Sequence, residues 1–288
     1  MVEKGIHIGL GMEDYHSWKL EKGNLRAGPI SCSTLKAFDK NPYAWLKSPD
    51  FKPTQAMRIG SLFDAAVTDP DTLEDFVISP YDSLRTREAR EWKEEQEESG
   101  KVIVSETEKI RAIKAAEIVH DHPVAGVIMD GADCQVGIVQ EYGGIPAKGL
   151  IDILPAEDSD WGETLVDYKT ISTGLDDDSI RQAIGKYKYH WQAAFYRTLF
   201  NKASATRLIE DFAFIFQDVN TLEVRGSTLD DDAMALGSRC VGKALENFAK
   251  CSIRGIHSRY LKTAEKLSLM PYHAMAEDEE LSRREGLA

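Results

Sequence analysis

The chain has 288 residues, of which 42% are hydrophobic and 29% are charged, and its formal net charge at pH 7 is −13. This composition is ordinary for a soluble globular protein with one substantial core. No apolar run approaches membrane length and the first residues lack a signal-peptide pattern, so we expect a cytoplasmic protein with no membrane partner. The negative charge argues against a generic nucleic-acid coat, but it does not exclude an enzyme that acts on nucleic acid with local basic residues.

The cysteines are widely scattered, and no pair of them has the Cys-x-x-Cys spacing. Structural zinc is therefore not expected, and reduced thiols in a cytosolic protein are the simpler interpretation. The four are Cys32, Cys134, Cys240 and Cys251.

The N-terminal part of the chain predicts helices after a weakly patterned beginning. We interpret residues 1–28 as a loosely ordered lead-in. A helix is predicted from Ile30, because Ser31 or Ser33 can cap it and apolar residues follow at helical spacing. Asn41-Pro42 interrupts this pattern.

A second amphipathic helix is predicted over Met57–Val67, with Gly60 inside it and Asp69-Pro70 ending it. Asp64 lies among apolar neighbours in this segment. A buried carboxylate and a solvated position on the helix edge are equally good interpretations of Asp64 at this point.

The following region is acidic and then strongly helical. Residues 71–100 predict a solvated helix or a mobile loop without chemistry of its own. Ser105–His120 predicts a helix, and Ser105 followed by Glu108 fits a capping box. His120 and His122 have the spacing of a metal-binding pair, but beside a helix end they are better explained as a C-terminal cap.

Three strands are predicted in the next segment, and two of them carry carboxylates. Tyr142-Gly143-Gly144 predicts a tight hairpin turn between the first two, and Pro155–Gly162 predicts a polar loop between the last two. The predicted strands are Cys134–Glu141, Ile145–Leu154 and Glu163–Thr170.

Asp152 and Asp167 lie inside the apolar runs of these strands. A carboxylate in a buried strand is costly unless it has a partner, and a divalent cation is the usual partner for several carboxylates at once. Lys169 follows Asp167 by two residues, so their side chains share one face of a strand. Two strands with this pattern predict a metal-dependent phosphodiesterase site.

The C-terminal half predicts further helices and one central strand. Residues 176–200 predict one long helix, on which Gln192 and Tyr196 lie four residues apart and thus on one face. Arg207–Asp218 predicts a central strand and Leu229–Phe248 another helix. The basic residues after Lys250, which are interleaved with Tyr260, favour a solvated helix face over a DNA groove, and residues 276–288 predict a solvated tail; the basic residues are Arg254, His257, Arg259, Lys262 and Lys266.

The ordered set Glu141, Asp152, Asp167-x-Lys169 and Gln192-Ala-Ala-Phe-Tyr196 resembles the PD-(D/E)xK nucleases of the RecB type. Within that family it is most similar to the RecE branch, which comprises exonuclease VIII and its phage-encoded relatives. The N-terminal ISCSTLKAFDKNPYAWL and the run YKYHWQAAFY also resemble that branch, so the resemblance covers roughly residues 30 to 220. The family usually has a histidine in a Gly-x-x-x-His setting, whereas here Asp64 follows Gly60.

The resemblance implies an α/β fold of the restriction-endonuclease type, with a central mixed β-sheet flanked by helices and an N-terminal helical annex. We expect residues 1–288 to form a single nuclease-like domain. Residues 1–125 would be its mostly helical part, residues 126–220 the catalytic sheet with the Gln/Tyr helix, and residues 221–288 the C-terminal helices and tail.

The resemblance also implies an Mg²⁺- or Mn²⁺-dependent exonuclease that degrades linear duplex DNA from 5′ to 3′ and leaves single strands for recombination or repair. It implies double-stranded DNA ends as substrate, a single-strand-annealing recombinase as partner, and a homo-oligomer. In this assignment Glu141, Asp152, Asp167 and Lys169 are catalytic, and Gln192 and Tyr196 position the DNA. The metal ligands are Asp64, Glu141, Asp152 and Asp167.

Two other functions remain open from the sequence. A structure- or site-specific endonuclease on the same site would cut closed circular DNA. A DNA-binding or assembly protein with weak or no catalysis, suggested by Asp64 and the acidic charge, would bind DNA without cleaving it. An iron–sulfur relative is less well supported, because that pattern needs clustered C-terminal cysteines.

Overall fold

The computed structural model describes residues 3–10, 12–49, 53–81, 83, 85–257, 271, 275, 277 and 278. Residues 1–256 form one compact unit, and residues 257–288 form a second. The basic residues Arg259, Lys262 and Lys266, Tyr260 beside them, and most of the expected tail lie outside the described residues.

The helices are α1 Met12–Ser17, α2 Cys32–Lys40, α3 Pro42–Lys47, α4 Gln55–Thr68, α5 Arg87–Glu98, α6 Glu106–Asp121, α7 Ala125–Met129, α8 Asp177–Tyr187, α9 Tyr189–Ala203 and α10 Asp231–Arg254, with a 3₁₀ helix at Pro70–Asp75. The strands are β1 Gly5–His7, β2 Ile30–Ser31, β3 Phe76–Ile78, β4 Val102–Val104, β5 Asp133–Tyr142, β6 Ile145–Leu154, β7 Thr164–Ile171, β8 Asp211–Asp218 and β9 Val224–Thr228. Within this described part of the chain, no helix is long and apolar enough to cross a membrane.

The described strands form a seven-stranded mixed sheet in the order β1-β5-β6-β7-β8-β9, with β2 added to β6. The pairs β5–β6, β6–β7 and β8–β9 are antiparallel, whereas β7–β8 and β2–β6 are parallel. The strands β3 and β4 form a separate parallel pair. This confirms the expected mixed α/β architecture with a central sheet.

Helices cover both faces of the sheet. Successive side chains of its central strands point to opposite faces, so each of these strands contributes residues to two hydrophobic clusters. On one face Leu165 and Phe214 pack in a core cluster with residues of α2, α9 and α10. On the other face Val166 and Ile215 pack with residues of α4, α6 and α7. The candidate site therefore lies between two hydrophobic layers, with Asp167 buried and Asp152 and Lys169 partly exposed.

The interpretation of residues 1–28 as a loosely ordered lead-in is wrong for part of that segment. Residues Gly5–His7 form β1 and pair antiparallel with β5, and Tyr15 of α1 is buried. A strand of three residues is too short to show an alternating pattern, so its existence depends on the long-range hydrogen bonds that the edge of the sheet offers.

The structure contains helix caps at the positions that the sequence predicts. Ser31 accepts a hydrogen bond from the Thr34 amide at the start of α2. Ser105 and Glu108 form the expected capping box at the start of α6. At the end of α6, His122 is the C-cap, and its Nδ1 accepts hydrogen bonds from the amides of two following residues at 3.2 Å. This confirms the interpretation of the histidine pair as a helix terminus.

The single long helix predicted over residues 176–200 is wrong, because the chain breaks at Lys188. Lys188 has φ 54° and ψ 49°, a left-handed conformation, and it separates α8 from α9. Lysine is a good helix former, so no residue type marks the break in the sequence. Tertiary contacts support it instead, since Lys36 Nζ donates a hydrogen bond to the carbonyl of Tyr187 at 3.0 Å.

Candidate active site

The strands β6 and β7 place Asp152 where their pairing is interrupted. The two strands are in register at Ile153 and Val166. Next to this pair, the Asp152 carboxylate accepts a hydrogen bond of 3.0 Å from the backbone amide of Tyr168. The carboxylate thus takes the place of a strand-pairing acceptor, which fixes its orientation and satisfies the amide.

Asp167, Lys169 and Gln192 form the centre of the site. Lys169 Nζ makes an ion pair with Asp167 Oδ2 and lies 3.8 Å from Asp152 Oδ2. Gln192 on α9 donates a hydrogen bond of 2.7 Å to the other oxygen, Asp167 Oδ1. The side chain of Asp167 is only 1% exposed, so both of its oxygens depend on these neighbours. One lysine is therefore shared by two carboxylates from adjacent strands.

Asp64 reaches the same region from α4, on the other side of the strands. Gly60, one turn earlier, allows a close approach of α4 to β7, because a Cβ there would lie 3.3 Å from Thr170 Oγ1. Asp64 Oδ2 accepts a hydrogen bond of 3.3 Å from Gln135 Nε2. Burial, and after it the charge of Asp167, raises the pKa of Asp64 to about 6 against the opposing effect of Lys169.

Gln135 is a site residue that sequence reasoning missed. It lies in β5 with φ 52°, between the pairs Cys134–Ile153 and Val136–Ile151, and thus opposite Asp152. Its Nε2 also donates a hydrogen bond of 2.7 Å to Thr68 Oγ1. The one signal in the sequence is a glutamine inside an otherwise apolar strand, and the left-handed backbone conformation of Gln135 is not visible there.

The electrostatic balance of the site is unfavourable without a further positive charge. Burial, and then the charge of Asp167, raises the pKa of Asp152 well above its ordinary value. Burial lowers the pKa of Lys169, but Asp167 and Asp152 outweigh that effect and leave it above its ordinary value. Lys169 is thus held as a cation, and Asp64 and Asp152 carry negative charge only at a cost.

The oxygen atoms of this group fit a hard divalent cation. Among the described residues, Asp64 Oδ1 and Gln135 Oε1 are buried without a hydrogen-bond partner. Asp64, Asp152 and Asp167 supply only oxygen donors, which Mg²⁺ prefers and Mn²⁺ accepts. Lys169 stands between Asp152 and Asp167, and the described residues contain no group of three acidic, histidine or cysteine side chains that could hold a metal ion in the arrangement shown.

The structure places Glu141, which was expected to be a catalytic residue and metal ligand, apart from the other candidate site residues. Glu141 is half exposed beside the hairpin turn, pairs with Pro146 in the sheet, and makes an ion pair of 2.8 Å with Lys4. Asp152 lies opposite Gln135, six residues back along β5, which is about 20 Å away at the rise of a β-strand. The order of residues along the chain matches the family, but the extended hairpin keeps Glu141 apart from the site.

Tyr196 lies on the same face of α9 as Gln192 and closes one side of the site. Its ring lies against Gly149 of β6, where a Cβ would be 3.2 Å from two ring carbons. Burial raises the pKa of its hydroxyl well above the ordinary value, so the side chain is a neutral phenol. A role of Tyr196 in positioning DNA stays a prediction, whereas Gln192 orients Asp167 directly.

Comparison with solved structures shows the same fold in a putative exonuclease from Eubacterium rectale. The two chains are 15% identical, the match covers 93% of this chain and 99% of the other, and the TM-score is 0.60. An alkaline exonuclease from Laribacter hongkongensis is also matched, with 15% identity over 67% of this chain and 94% of the other, but its TM-score of 0.28 is too low to bear on the fold. No curated protein matches the sequence.

The sequence itself matches a family profile over residues 31–265, which span the whole site. The profile is described as a PDDEXK-like domain of unknown function (DUF3799). The resemblance to PD-(D/E)xK proteins is thereby confirmed, and the assignment to the RecE branch stays a prediction. With Asp152, Asp167 and Lys169 brought together on adjacent strands of a mixed sheet, the chain belongs to the PDDEXK-like family DUF3799.

Proposed function

We propose that the protein is a metal-dependent nuclease that hydrolyses DNA phosphodiester bonds at the group formed by Asp64, Asp152, Asp167 and Lys169. The observation that carries this proposal is the shared lysine: Lys169 contacts both Asp152 and Asp167 between two hydrophobic layers. An ion pair of two carboxylates and one ammonium leaves surplus negative charge, and a cation together with a phosphate would balance it.

Each residue of the group has a distinct role in the proposed reaction. Asp64, Asp152 and Asp167 would hold Mg²⁺ or Mn²⁺. When bound, such an ion lowers the pKa of a bound water and stabilises negative charge on phosphate oxygens. Lys169, already held as a cation, would orient the attacking water or neutralise the charge that develops on the phosphate. Gln192 and the Tyr168 amide keep Asp167 and Asp152 in fixed orientations, so little reorganisation is needed during the reaction.

The finer proposal is an exodeoxyribonuclease that acts from 5′ to 3′ on linear duplex DNA. It is supported by the resemblance to the RecE branch of the family. Oligomerisation, a single-strand-annealing recombinase as partner, and a role in recombination or repair for a phage or its host are proposed on the same basis.

The test compares linear duplex DNA, labelled at either the 5′ or the 3′ end, with supercoiled plasmid in Mg²⁺, Mn²⁺ and EDTA. The expected result is metal-dependent degradation of the linear duplex with the plasmid intact, and early release of the 5′ label. Cleavage of the supercoiled plasmid would show that the protein is an endonuclease and not the proposed exonuclease. Binding of DNA with no cleavage in either metal would overturn the nuclease and leave the binding or assembly protein.

A further inference from the structure

The segment between α8 and α9 gathers basic and aromatic side chains next to the candidate active site. We refer to Lys36, Lys186, Tyr187 and Lys188 as the break surface. Tyr187 is 52% exposed although it is a large aromatic residue, and Lys186 is also exposed. In a chain whose net charge is −13, a local group of three lysines differs from the average surface.

A continuous series of contacts joins the break surface to the catalytic lysine. The ring of Tyr187 stacks on the ring of Tyr189, with centroids 5.6 Å apart and planes at 29°. Lys169 Nζ lies 5.6 Å from the centroid of Tyr189. Tyr189 is fixed from below by Phe214, at a centroid distance of 5.6 Å. Tyr187 is therefore the outer layer of a rigid aromatic stack that ends at Lys169.

The lysines of the break surface surround this stack. Lys36 Nζ donates a hydrogen bond of 3.0 Å to the Tyr187 carbonyl, and Lys186 Nζ lies 5.1 Å from the centre of the Tyr187 ring. Lys188 Nζ lies 4.1 Å from the centre of the Trp191 ring, which directs this side chain along α9. Burial chiefly, and also the charges of Lys169 and Lys188, lower the pKa of Lys36. The ammonium of Lys36 thus lies close enough to those of Lys169 and Lys188 to be affected by their charges.

The backbone adds an independent observation. Lys188 adopts a left-handed conformation that is disfavoured for residues other than glycine and asparagine. Glycine at this position would relieve the strain, yet the chain has a lysine there. Disfavoured conformations of this kind are concentrated at functional sites, where the side chain is needed in a particular direction.

We propose that the break surface binds an unpaired DNA strand beside the scissile phosphate, with one base stacked on Tyr187 and neighbouring phosphates contacted by the lysines. The Tyr187 ring is half exposed, with Tyr189 stacked behind it and Lys186 Nζ 5.1 Å from its centre, so a stacking base would take the place of the Lys186 ammonium over the ring. Bases inside a duplex have both faces occupied by their neighbours, whereas an unpaired base has a face free, so we take a frayed or overhanging end as the occupant. This proposal rests on the proposed nuclease function and names the form of DNA that its site receives.

The proposal is tested by fluorescence anisotropy in EDTA, where no cleavage takes place, with a labelled short single strand and a labelled blunt hairpin duplex. Replacing Tyr187→Ala is expected to weaken single-strand binding about tenfold, because stacking on an aromatic side chain contributes that order of affinity. Tyr187→Phe keeps the ring and is expected to retain binding. The blunt hairpin is expected to respond much less to either substitution.

The charge is tested at Lys188, where the variants separate the ammonium from the backbone conformation. Lys188→Asn tolerates the left-handed conformation but removes the charge, and we expect the slope of log affinity against log salt to fall by about 0.7 for the single strand. Lys188→Arg retains the charge and is expected to retain the slope. Lys93→Gln, which removes an exposed lysine from α5, is the matched control and leaves binding unchanged.

Cleavage of linear DNA by the wild-type protein in Mg²⁺ separates the two proposals. If the wild type cleaves DNA, and the Tyr187→Ala and Lys188→Asn proteins bind single strands with wild-type affinity and salt slope, the break surface is overturned and the nuclease stands. If the wild type does not cleave but these substitutions weaken single-strand binding, the binding surface stands and the nuclease falls. If Lys93→Gln and Lys188→Asn weaken single-strand binding equally, the effect comes from the net charge of the protein and the proposed binding surface is overturned.

Discussion

In the proposed reaction, Lys169 is the residue on which the chemistry of the site depends. It contacts both Asp152 and Asp167, and its charge is maintained by them. The spacing Asp-x-Lys places the two side chains on one face of β7, but the second carboxylate arrives from β6 only because the strands are adjacent. A carboxylate and an amine that look ordinary in the sequence thus become a strongly coupled pair.

The Lys169→Met substitution is expected to lower the cleavage rate by at least about a hundredfold, because it removes the ammonium that contacts both Asp152 and Asp167. Asp167→Asn is expected to have a similar effect through loss of a cation ligand. The measurement is the initial rate on end-labelled linear DNA, with circular dichroism melting to confirm that each variant is folded. Wild-type rates in both folded variants would remove these residues from the mechanism.

Asp64 stands where the resemblance to the RecB-type nucleases would place a histidine. If Asp64 holds the cation, it adds an oxygen donor where an imidazole nitrogen would otherwise stand, and imidazole favours softer ions. We expect Asp64→His to remain active with a greater preference for Mn²⁺ over Mg²⁺, and Asp64→Ala to lose most of its activity. The measurement is the cleavage rate of the wild type and the two variants in Mg²⁺ and in Mn²⁺. Full activity of Asp64→Ala in Mg²⁺ would exclude Asp64 as a metal ligand.

At the scale of elements, the break between α8 and α9 decides which side chains face the site. Gln192 and Tyr196 remain on one face of α9, as helical spacing predicts, but the direction of that face is set after Lys188. The left-handed residue costs about 1–2 kcal/mol relative to glycine in the same place. The packing of Tyr189 and Trp191 against the sheet offsets this cost.

We expect Lys188→Val to be less stable than Lys188→Gly by about 2 kcal/mol, because a β-branched residue is the least tolerant of the left-handed conformation. The free energies of unfolding of both variants and the wild type would be measured in urea. A valine variant as stable as the glycine variant would contradict the left-handed conformation at Lys188, and a more stable valine variant would indicate one continuous helix over residues 176–200, where glycine is the poorer helix former.

The attachment of α1 to β6 rests on a buried lysine. Lys148 Nζ donates a hydrogen bond of 2.7 Å to the carbonyl of Tyr15 and lies 4.0 Å from the centre of the Tyr15 ring. Burial, and after it the charge of Lys19, lowers the pKa of Lys148 to about 8. Because the folded protein releases this proton more readily than the unfolded chain, the contribution of Lys148 to stability grows as the pH rises through about 8 towards the unfolded pKa near 10.

Comparison of the wild type with Lys148→Met tests this dependence. We expect the free energy of unfolding of the wild type to increase relative to that of the variant between pH 7.5 and about 9.5. Over this range Lys148 of the folded wild type loses its proton, and the unfavourable burial of its ammonium ends. Urea unfolding at each pH gives the difference. Parallel profiles for the two proteins would show that Lys148 keeps its ordinary pKa in the folded state.

At the scale of the whole molecule, the site is a concentration of negative charge inside an acidic protein. Asp152 and Asp167 contact one lysine from the consecutive strands β6 and β7, and Asp64 on the distant helix α4 lies close enough for the charges of Lys169 and Asp167 to affect its pKa. Their mutual repulsion is a cost of the folded state in the absence of a cation. A cation that binds only the folded protein would relieve it and stabilise the whole unit.

We therefore expect millimolar Mg²⁺ or Mn²⁺ to raise the melting temperature of the wild type by several degrees. Asp152→Asn is expected to abolish most of this shift, because it removes one charged oxygen donor while preserving the size of the side chain. Differential scanning fluorimetry with and without metal provides the measurement, and Glu141→Gln, at the far end of the hairpin, is the control. A metal-induced shift that survives in Asp152→Asn would exclude Asp152 as a ligand.

The sequence by itself determined the features that follow from local chemistry. The hairpin at Gly143-Gly144, the capping box of α6, and the carboxylates Asp152 and Asp167 with Lys169 are encoded in turn residues, caps and strand periodicity. Each depends on neighbours within a few residues, so a reading of the chain alone finds them.

Only the tertiary structure decided which of the candidate residues meet. It placed Glu141 at the far end of the hairpin, brought in Gln135 through a left-handed backbone conformation, added β1 to the sheet edge and broke the helix at Lys188. These outcomes depend on strand register, on hydrogen bonds between distant segments, and on packing that outweighs local helix propensity. Such energies arise from pairs of residues far apart in the chain, and no local pattern carries them.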